Sequence, residues 1–189
     1  MADIGITRED ALELLRSQLK SEVLVKHCLA TEAIMRDLAE KKGGDPDVWG
    51  IAGLLHDLDY NETKETPEKH TLIAEEILKD KGVSPEIIDA IKSHNAEQLG
   101  ISRTSDFHFA ITCAENITGL IVATALVMPD KKIASVKPKS VVKRMKEKHF
   151  ARAVNRDGIR LCEEIDIPLS EFVEISLSAM GGISDDLGL

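Results

Sequence analysis

Three places in this chain carry the same punctuation: Asp45-Pro46-Asp47, Thr66-Pro67-Glu68 and Ser84-Pro85-Glu86. In each, a side chain able to cap a helix precedes a proline and an acid. Proline costs nothing at the first helical position, where its missing N–H would be unpaired anyway. An acid in the first turn meets the positive end of the helix dipole. The matching stops are Gly43-Gly44, Lys81-Gly82 and Gly181-Gly182, and Pro129 closes a further segment. No segment sustains the period-two alternation of a strand. The pattern predicts an all-α chain, a compact bundle of about eight or nine helices.

The expected helices run from a Thr7 cap to near Leu19, from Ser21 to near Glu40, and from Pro46 into His56. Further ones run from Thr66 to Lys81, from Ser84 through His94, and from Ser105 to near Val127. Shorter ones are expected at 138–148 and 157–164, and Ser170 should cap the last. Residues 59–65 read as a polar loop, and the tail after Gly182 as frayed. Residues 1–130 form the expected helical core. Residues 131–189 add a basic segment and short C-terminal helices packed on it. Within 131–156 there are ten Lys or Arg and one acid, Glu147, in a chain whose net charge is -9.

That acidic balance argues against duplex nucleic acid as the main partner, because neutralising phosphates needs a basic face. Aromatic residues make up only 3% of the chain, which favours packed helices over a sheet sandwich. The cysteines, Cys28, Cys113 and Cys162, are odd in number and far apart, so they read as small core residues in a reducing compartment. The N-terminus lacks the pattern of a signal peptide, and no apolar run reaches membrane-spanning length. A cytoplasmic protein with no membrane partner is expected; a homo-oligomer remains open.

Five chemically distinctive features occur in order. His27 lies on the stripe of its helix that carries Val23 and Leu24, a position that also suits a core histidine. His56-Asp57 ends an apolar helix; adjacent helical residues do not share a face, so the two converge only where the helix bends or ends. His70 and His94 follow on the next two helices. Glu115 then interrupts a helix otherwise built of Ile, Ala, Val and Leu, and a buried carboxylate needs a cation, either an ion or an arginine. Imidazole and carboxylate together suit Mn, Fe, Co, Ni or Zn better than Ca.

The words "HDLDY", "KHTLIAEEIL", "AIKSHN" and "AENITGLIVA" resemble the HD superfamily of metal-dependent phosphohydrolases, specifically its small HD/HDIG-type group, over roughly residues 20–127. The resemblance implies a helical HD-domain core over 1–130. It implies that His27, His56 and Asp57 hold a primary divalent metal, and that His70 and His94 hold a second, with Asp57 bridging. The family's final ligand is usually Asp; the matching position here is Glu115, one methylene longer. The implied activity is hydrolysis of a phosphate ester on a small phosphorylated metabolite or nucleotide. The chemistry agrees, since a metal ion lowers the pKa of water and neutralises phosphoryl oxygens.

From the residues themselves, Asp59 or Glu62 could manage protons beside Asp57. Lys131, Lys132, Lys137 and Lys139 could bind the substrate phosphate as part of the basic stretch. His108 and His149 read as non-ligands. Two other readings stand beside the phosphohydrolase. One is a non-catalytic HD module that keeps metal and binds a nucleotide or protein partner. The other is a two-iron oxygenase, as in some HD relatives. Phosphate-loop, dinucleotide-binding, HExxH and serine-elbow motifs are absent.

Overall fold

Capping by short polar side chains sets most helix starts. The computed structural model describes residues 4–189 and has no strand among them. The reading of the N-terminus as no signal peptide draws on Met1, Ala2 and Asp3, which lie outside the described residues. The Thr7 hydroxyl accepts from Asp10 N and opens α1 (Arg8–Gln18). Helix α2 (Glu22–Lys42) stops at Gly43, whose left-handed φ of 72° suits a residue without Cβ. The Asp45 carboxylate accepts from Asp47 N and Val48 N, and Pro46 opens α3 (Pro46–Leu55). Pro85 likewise opens α6 (Pro85–His94). The Ser105 hydroxyl accepts from His108 N at the head of α8 (Asp106–Leu126).

Between α3 and α6 the chain departs from expectation. The 59–65 loop holds a helical turn, α4 (Tyr60–Thr63), closed by the Thr63 hydroxyl donating back to Asp59 O. Thr66-Pro67-Glu68 opens only a 3-10 turn, Pro67–Lys69. The backbone then breaks: His70 is extended (φ -58°, ψ 134°) and Thr71 is left-handed (φ 75°) before α5 (Leu72–Asp80) begins. The physical reason is Asp59. Its carboxylate accepts from Ala74 N at 3.0 Å and so caps α5 from another element, the task expected of Thr66.

The C-terminal part differs as well. After α7 (Ala96–Leu99) and α8, helix α9 (Pro138–Arg144) ends short of Lys148. Helix α10 (Arg156–Arg160) runs into a 3-10 turn, Leu161–Ile165. Helix α11 (Leu169–Gly182) starts one residue ahead of Ser170. The expected frayed tail is a helical turn, α12 (Ser184–Leu187): Leu187 is buried, and its carbonyl accepts from Lys26 Nζ at 2.9 Å.

Helix α8 is the central post, packed against α2, α6, α10 and the 161–165 turn. By length and composition it is apolar enough to cross a membrane, contrary to the sequence reading, yet most of it is buried inside the bundle. All three cysteines are free and buried. Val23, expected on the inward stripe of α2, is 76% exposed.

Helices α2 and α3 pack closely, and two features set that contact. Glu32 is buried, and its carboxylate takes Arg8 Nε at 2.6 Å and Arg36 Nη2 at 3.0 Å; Arg36 also reaches Asp47 at 2.7 Å. This pins α1 and the start of α3 to α2. Further along, Gly53 faces the α2 backbone: a Cβ there would lie 3.0 Å from Thr31 O and from Glu32 N. Backbone atoms in a helix cannot yield as a side-chain end can. Gly53→Ala is therefore expected to destabilise the protein by about 1–3 kcal/mol through overpacking, less up to about 1 kcal/mol from better helix propensity. A urea midpoint equal to or above wild type would show that α2 and α3 can separate freely.

Candidate metal centre

Three helices, the turn after one of them and one backbone break deliver five side chains to one place. His27 comes from the first half of α2 and His56 from the C-cap of α3, with Asp57 in the turn that follows. His70 comes from the break before α5, and His94 is the last residue of α6. His27, His56 and Asp57 place one ligand atom each within 4.8 Å of one another, and so do Asp57, His70 and His94. Asp57 splits its carboxylate between the two groups. Its Oδ2 is 3.7 Å from His27 Nε2 and 3.6 Å from His56 Nε2. Its Oδ1 is 3.2 Å from His70 Nε2 and 3.9 Å from His94 Nε2.

The opposite nitrogen of each ring is anchored. His56 Nδ1 donates to Gly53 O at 2.8 Å, and His94 Nδ1 donates to Ile91 O. His70 Nδ1 donates to the Asp59 carboxylate at 2.7 Å. His27 Nδ1 lies 2.8 Å from Thr118 Oγ1, whose own proton goes to Glu115 O, so the imidazole is the donor. Carbonyls and carboxylates can only accept. All four rings therefore keep a proton on Nδ1 and turn Nε2 to the centre. There, His27 and His56 face each other at 3.1 Å and His70 and His94 at 2.9 Å.

Two imidazole nitrogens that close need a proton or a metal ion between or beside them. Two imidazole nitrogens on one ion, with bonds of about 2.0–2.1 Å, also stand about 3 Å apart. The donor set, imidazoles sharing a carboxylate with their far nitrogens anchored, fits one or two divalent transition metals.

Charge is distributed unevenly in the metal-free site. Burial lowers His27 to about 4, helped by His56. Burial and the neighbouring His56 and His70 likewise hold His94 well below the usual histidine value. Burial alone would raise Asp57, but His56, His70, His27 and His94 outweigh it and hold the carboxyl well below the usual range. His70 moves the other way: against its burial, the Asp57 and Asp59 carboxylates raise it to about 9. An ion bound at His70 would therefore have to displace a proton from it near neutral pH.

Several expected residues lie outside the five converging side chains. Asp59 adjoins the cluster, buried against His70, Thr63 and Ala74, where it orients a ring and caps a helix. Glu62 is exposed on α4 and makes no polar contact with the cluster among the described residues. Glu115 is not among the converging donors. Burial and the nearby Asp57 raise its pKa well above the usual value, and its Oε1 accepts from the Asn116 amide. The longer side chain lets it lean away from a like charge. Lys131, Lys132, Lys137 and Lys139 are exposed, and none has a polar contact with the histidines among the described residues. Lys139 instead lines a cleft of about 390 Å³ with Ser170 and Glu174 of α11.

Sequence reasoning missed the supports. Asn95 Nδ2 donates to Pro67 O at 2.9 Å and to His70 O at 3.0 Å, clamping both ends of the turn that carries His70. Arg103 joins Thr112 on α8 to Glu97, and its Nη2 donates to His94 O at 3.4 Å. Thr118 sets His27. Of these, only Asn95 carried a signal, as the neighbour of His94; contacts across elements leave no local pattern.

A family model described as HD domain matches residues 24–121, just over half of the chain. No solved structure matches it.

Two outcomes are expected of this geometry. At pH 7.5 an ion entering beside His94 must displace the His70 proton, so binding there should release about one proton and strengthen about tenfold per pH unit, levelling near pH 9. Titration calorimetry in buffers of different ionisation heat reads this; no proton release between pH 7 and 9 would rule out a protonated His70. Asn95→Asp keeps the shape and adds a negative charge that alone would favour a cation, but it removes both donors. It should hold about one ion per chain where wild type holds about two. Elemental analysis finding both ions retained would make the clamp dispensable.

Proposed function

The chain belongs to the HD-domain family, a family of metal-dependent phosphohydrolases, and we propose that it hydrolyses a phosphate ester of a small phosphorylated metabolite or nucleotide. One observation carries this reading: Asp57 gives one carboxylate oxygen to each of two histidine pairs. A structural staple needs only one closed set of ligands. A shared carboxylate between two open sets suits a site that holds two cations side by side for an anionic substrate.

In this reading His27, His56 and Asp57 hold one divalent ion and Asp57, His70 and His94 the other. Bound there, the ions would supply Lewis acidity, both for activating water at neutral pH and for neutralising phosphoryl oxygens. The protein's own part is preparation. Gly53 O, Ile91 O, Thr118 and Asp59 hold the four rings so that Nε2 is available without reorganisation. The bundle buries His56 almost completely and leaves His27 the most exposed of the five side chains, so solvent and substrate arrive from the His27 side.

A second reading has one observation behind it. Glu115 stands off the cluster, which suits a module that binds metal and ligand without turnover. Turnover of p-nitrophenyl phosphate and a nucleotide panel by the metal-loaded protein separates the two. The hydrolase reading expects turnover that falls more than about a hundredfold in Asp57→Ala, beyond the usual loss from an outer hydrogen-bond partner. Two ions retained with tight nucleotide binding and no turnover would establish the binding module instead.

A further inference from the structure

The basic stretch is the strongest charge feature that the metal centre leaves unused, and the structure divides it. In its early part Lys139 and Lys146 line the cleft against α11, Lys143 and Arg144 sit by Glu147 at 3.8 and 3.5 Å, and Lys131, Lys132 and Lys137 are exposed on the segment before α9. Beyond Glu147, Lys148 and Arg152 are exposed and have no ion-pair partner among the described residues.

The loop that carries them is built, not loose. The Arg156 guanidinium donates to four of its carbonyls, those of Glu147, Phe150, Ala151 and Val154. Arg156 Nε is buried with no partner at all. The Arg144 guanidinium lies 3.8 Å over the Phe150 ring. Ala151 is held at φ 45°, which a residue with a Cβ rarely adopts. Strain of this kind persists only where the surroundings impose it, and it clusters at functional sites.

The loop is also docked beside the metal centre. At its end, Gly158 presses on α8 so closely that a Cβ would lie 2.6 Å from Asn116 Nδ2. The Val154 side chain comes within 3.2 Å of where a Cβ on Gly119 would be. Gly119 lies four residues after Glu115, on the same helix face, and directly follows Thr118, which anchors His27. The loop thus forms a lip on α8 one helical turn from Glu115, next to Thr118, which anchors His27, at 23% the most exposed side chain of the cluster.

We infer that residues 147–155 are the recognition lip for a second, non-reacting phosphate of the substrate, paired with Lys148 and Arg152. The inference rests on the phosphohydrolase reading and narrows it. The ions take the scissile group, and the lip, a turn away, takes another. The substrate class is then a small metabolite or nucleotide with two separate phosphates. In an acidic protein, two cations on one rigid lip also steer such a substrate inward.

The test is calorimetric binding to the metal-loaded protein of two ligand pairs. They are adenosine 3′,5′-bisphosphate against adenosine 5′-monophosphate, and fructose 1,6-bisphosphate against fructose 6-phosphate. In at least one pair the bisphosphate should bind about tenfold or more tightly. The Lys148→Glu/Arg152→Glu double variant should bring the two within about twofold while monophosphate affinity holds. Both substitutions are on exposed side chains, and unchanged metal content confirms an intact site. No preference in either pair, or a preference that survives in the double variant, would overturn the lip. A preference lost in Lys139→Glu but not in the double variant would overturn it in favour of the α9 end. Aryl phosphate turnover is scored separately: bisphosphate preference without turnover would keep the lip and remove the hydrolase.

Discussion

The structure turns on one carboxylate. Asp57 is buried among four imidazoles, and an anion in that position is tolerable only if cations or donors surround it. Each ring can offer a bare Nε2 to a cation beside that carboxylate only if its far nitrogen donates elsewhere. Two of the four commitments are local. His56 and His94 each donate to the carbonyl three residues back, at helix C-termini where carbonyls lack an intrahelical partner. The other two are tertiary: His27 depends on Thr118 of α8, and His70 on Asp59. Each histidine pair therefore joins one ring set by its own helix to one set by the fold.

The two halves of the site are not supported alike. His27 and His56 ride on α2 and α3, locked together by Gly53 and by the Glu32 carboxylate between two arginines. His70 rides on a short break. Thr71 there is left-handed with its hydroxyl buried and unpartnered, and Asn95 must hold the preceding turn closed. Strain without compensation nearby makes a segment easier to open than a packed helix pair. The His27–His56 half of the site is thus part of the bundle's core, while the His70–His94 half is attached to it through a few named contacts.

The same split explains what the sequence could tell. The all-α architecture and most helix starts were legible, because Thr7, Asp45 and Ser105 act on their own next turn and proline fixes its own φ. The order of His27, His56-Asp57, His70 and His94 was legible as a set, because residue type and helix position carry the pattern. The orienting and capping role of Asp59 was not legible, because its partners, His70 and Ala74, lie on another element; as a loop acid it resembles any other. The His70 break was missed for the same reason, since Thr66-Pro67-Glu68 is a sound local start that a distant cap displaces. Glu115 matched by position, but its like-charge neighbour is visible only in three dimensions. Lys131 to Lys139 were plausible by charge alone, and charge alone does not say which face of a bundle a lysine occupies.

Charge also bears on the proposal that an acidic chain receives an anion. The metal-free cluster holds one ionised carboxylate, one histidine raised by its neighbours and two histidines that burial keeps neutral. Glu115, held toward its neutral form, adds little negative charge. Divalent ions set against a single bridging carboxylate would leave a local positive surplus in a low-dielectric pocket, where it acts most strongly on a phosphate. A second ligating carboxylate would cancel part of that surplus. A glutamate that leans onto Asn116 is therefore consistent with anion binding, in a hydrolase and in a binding module alike.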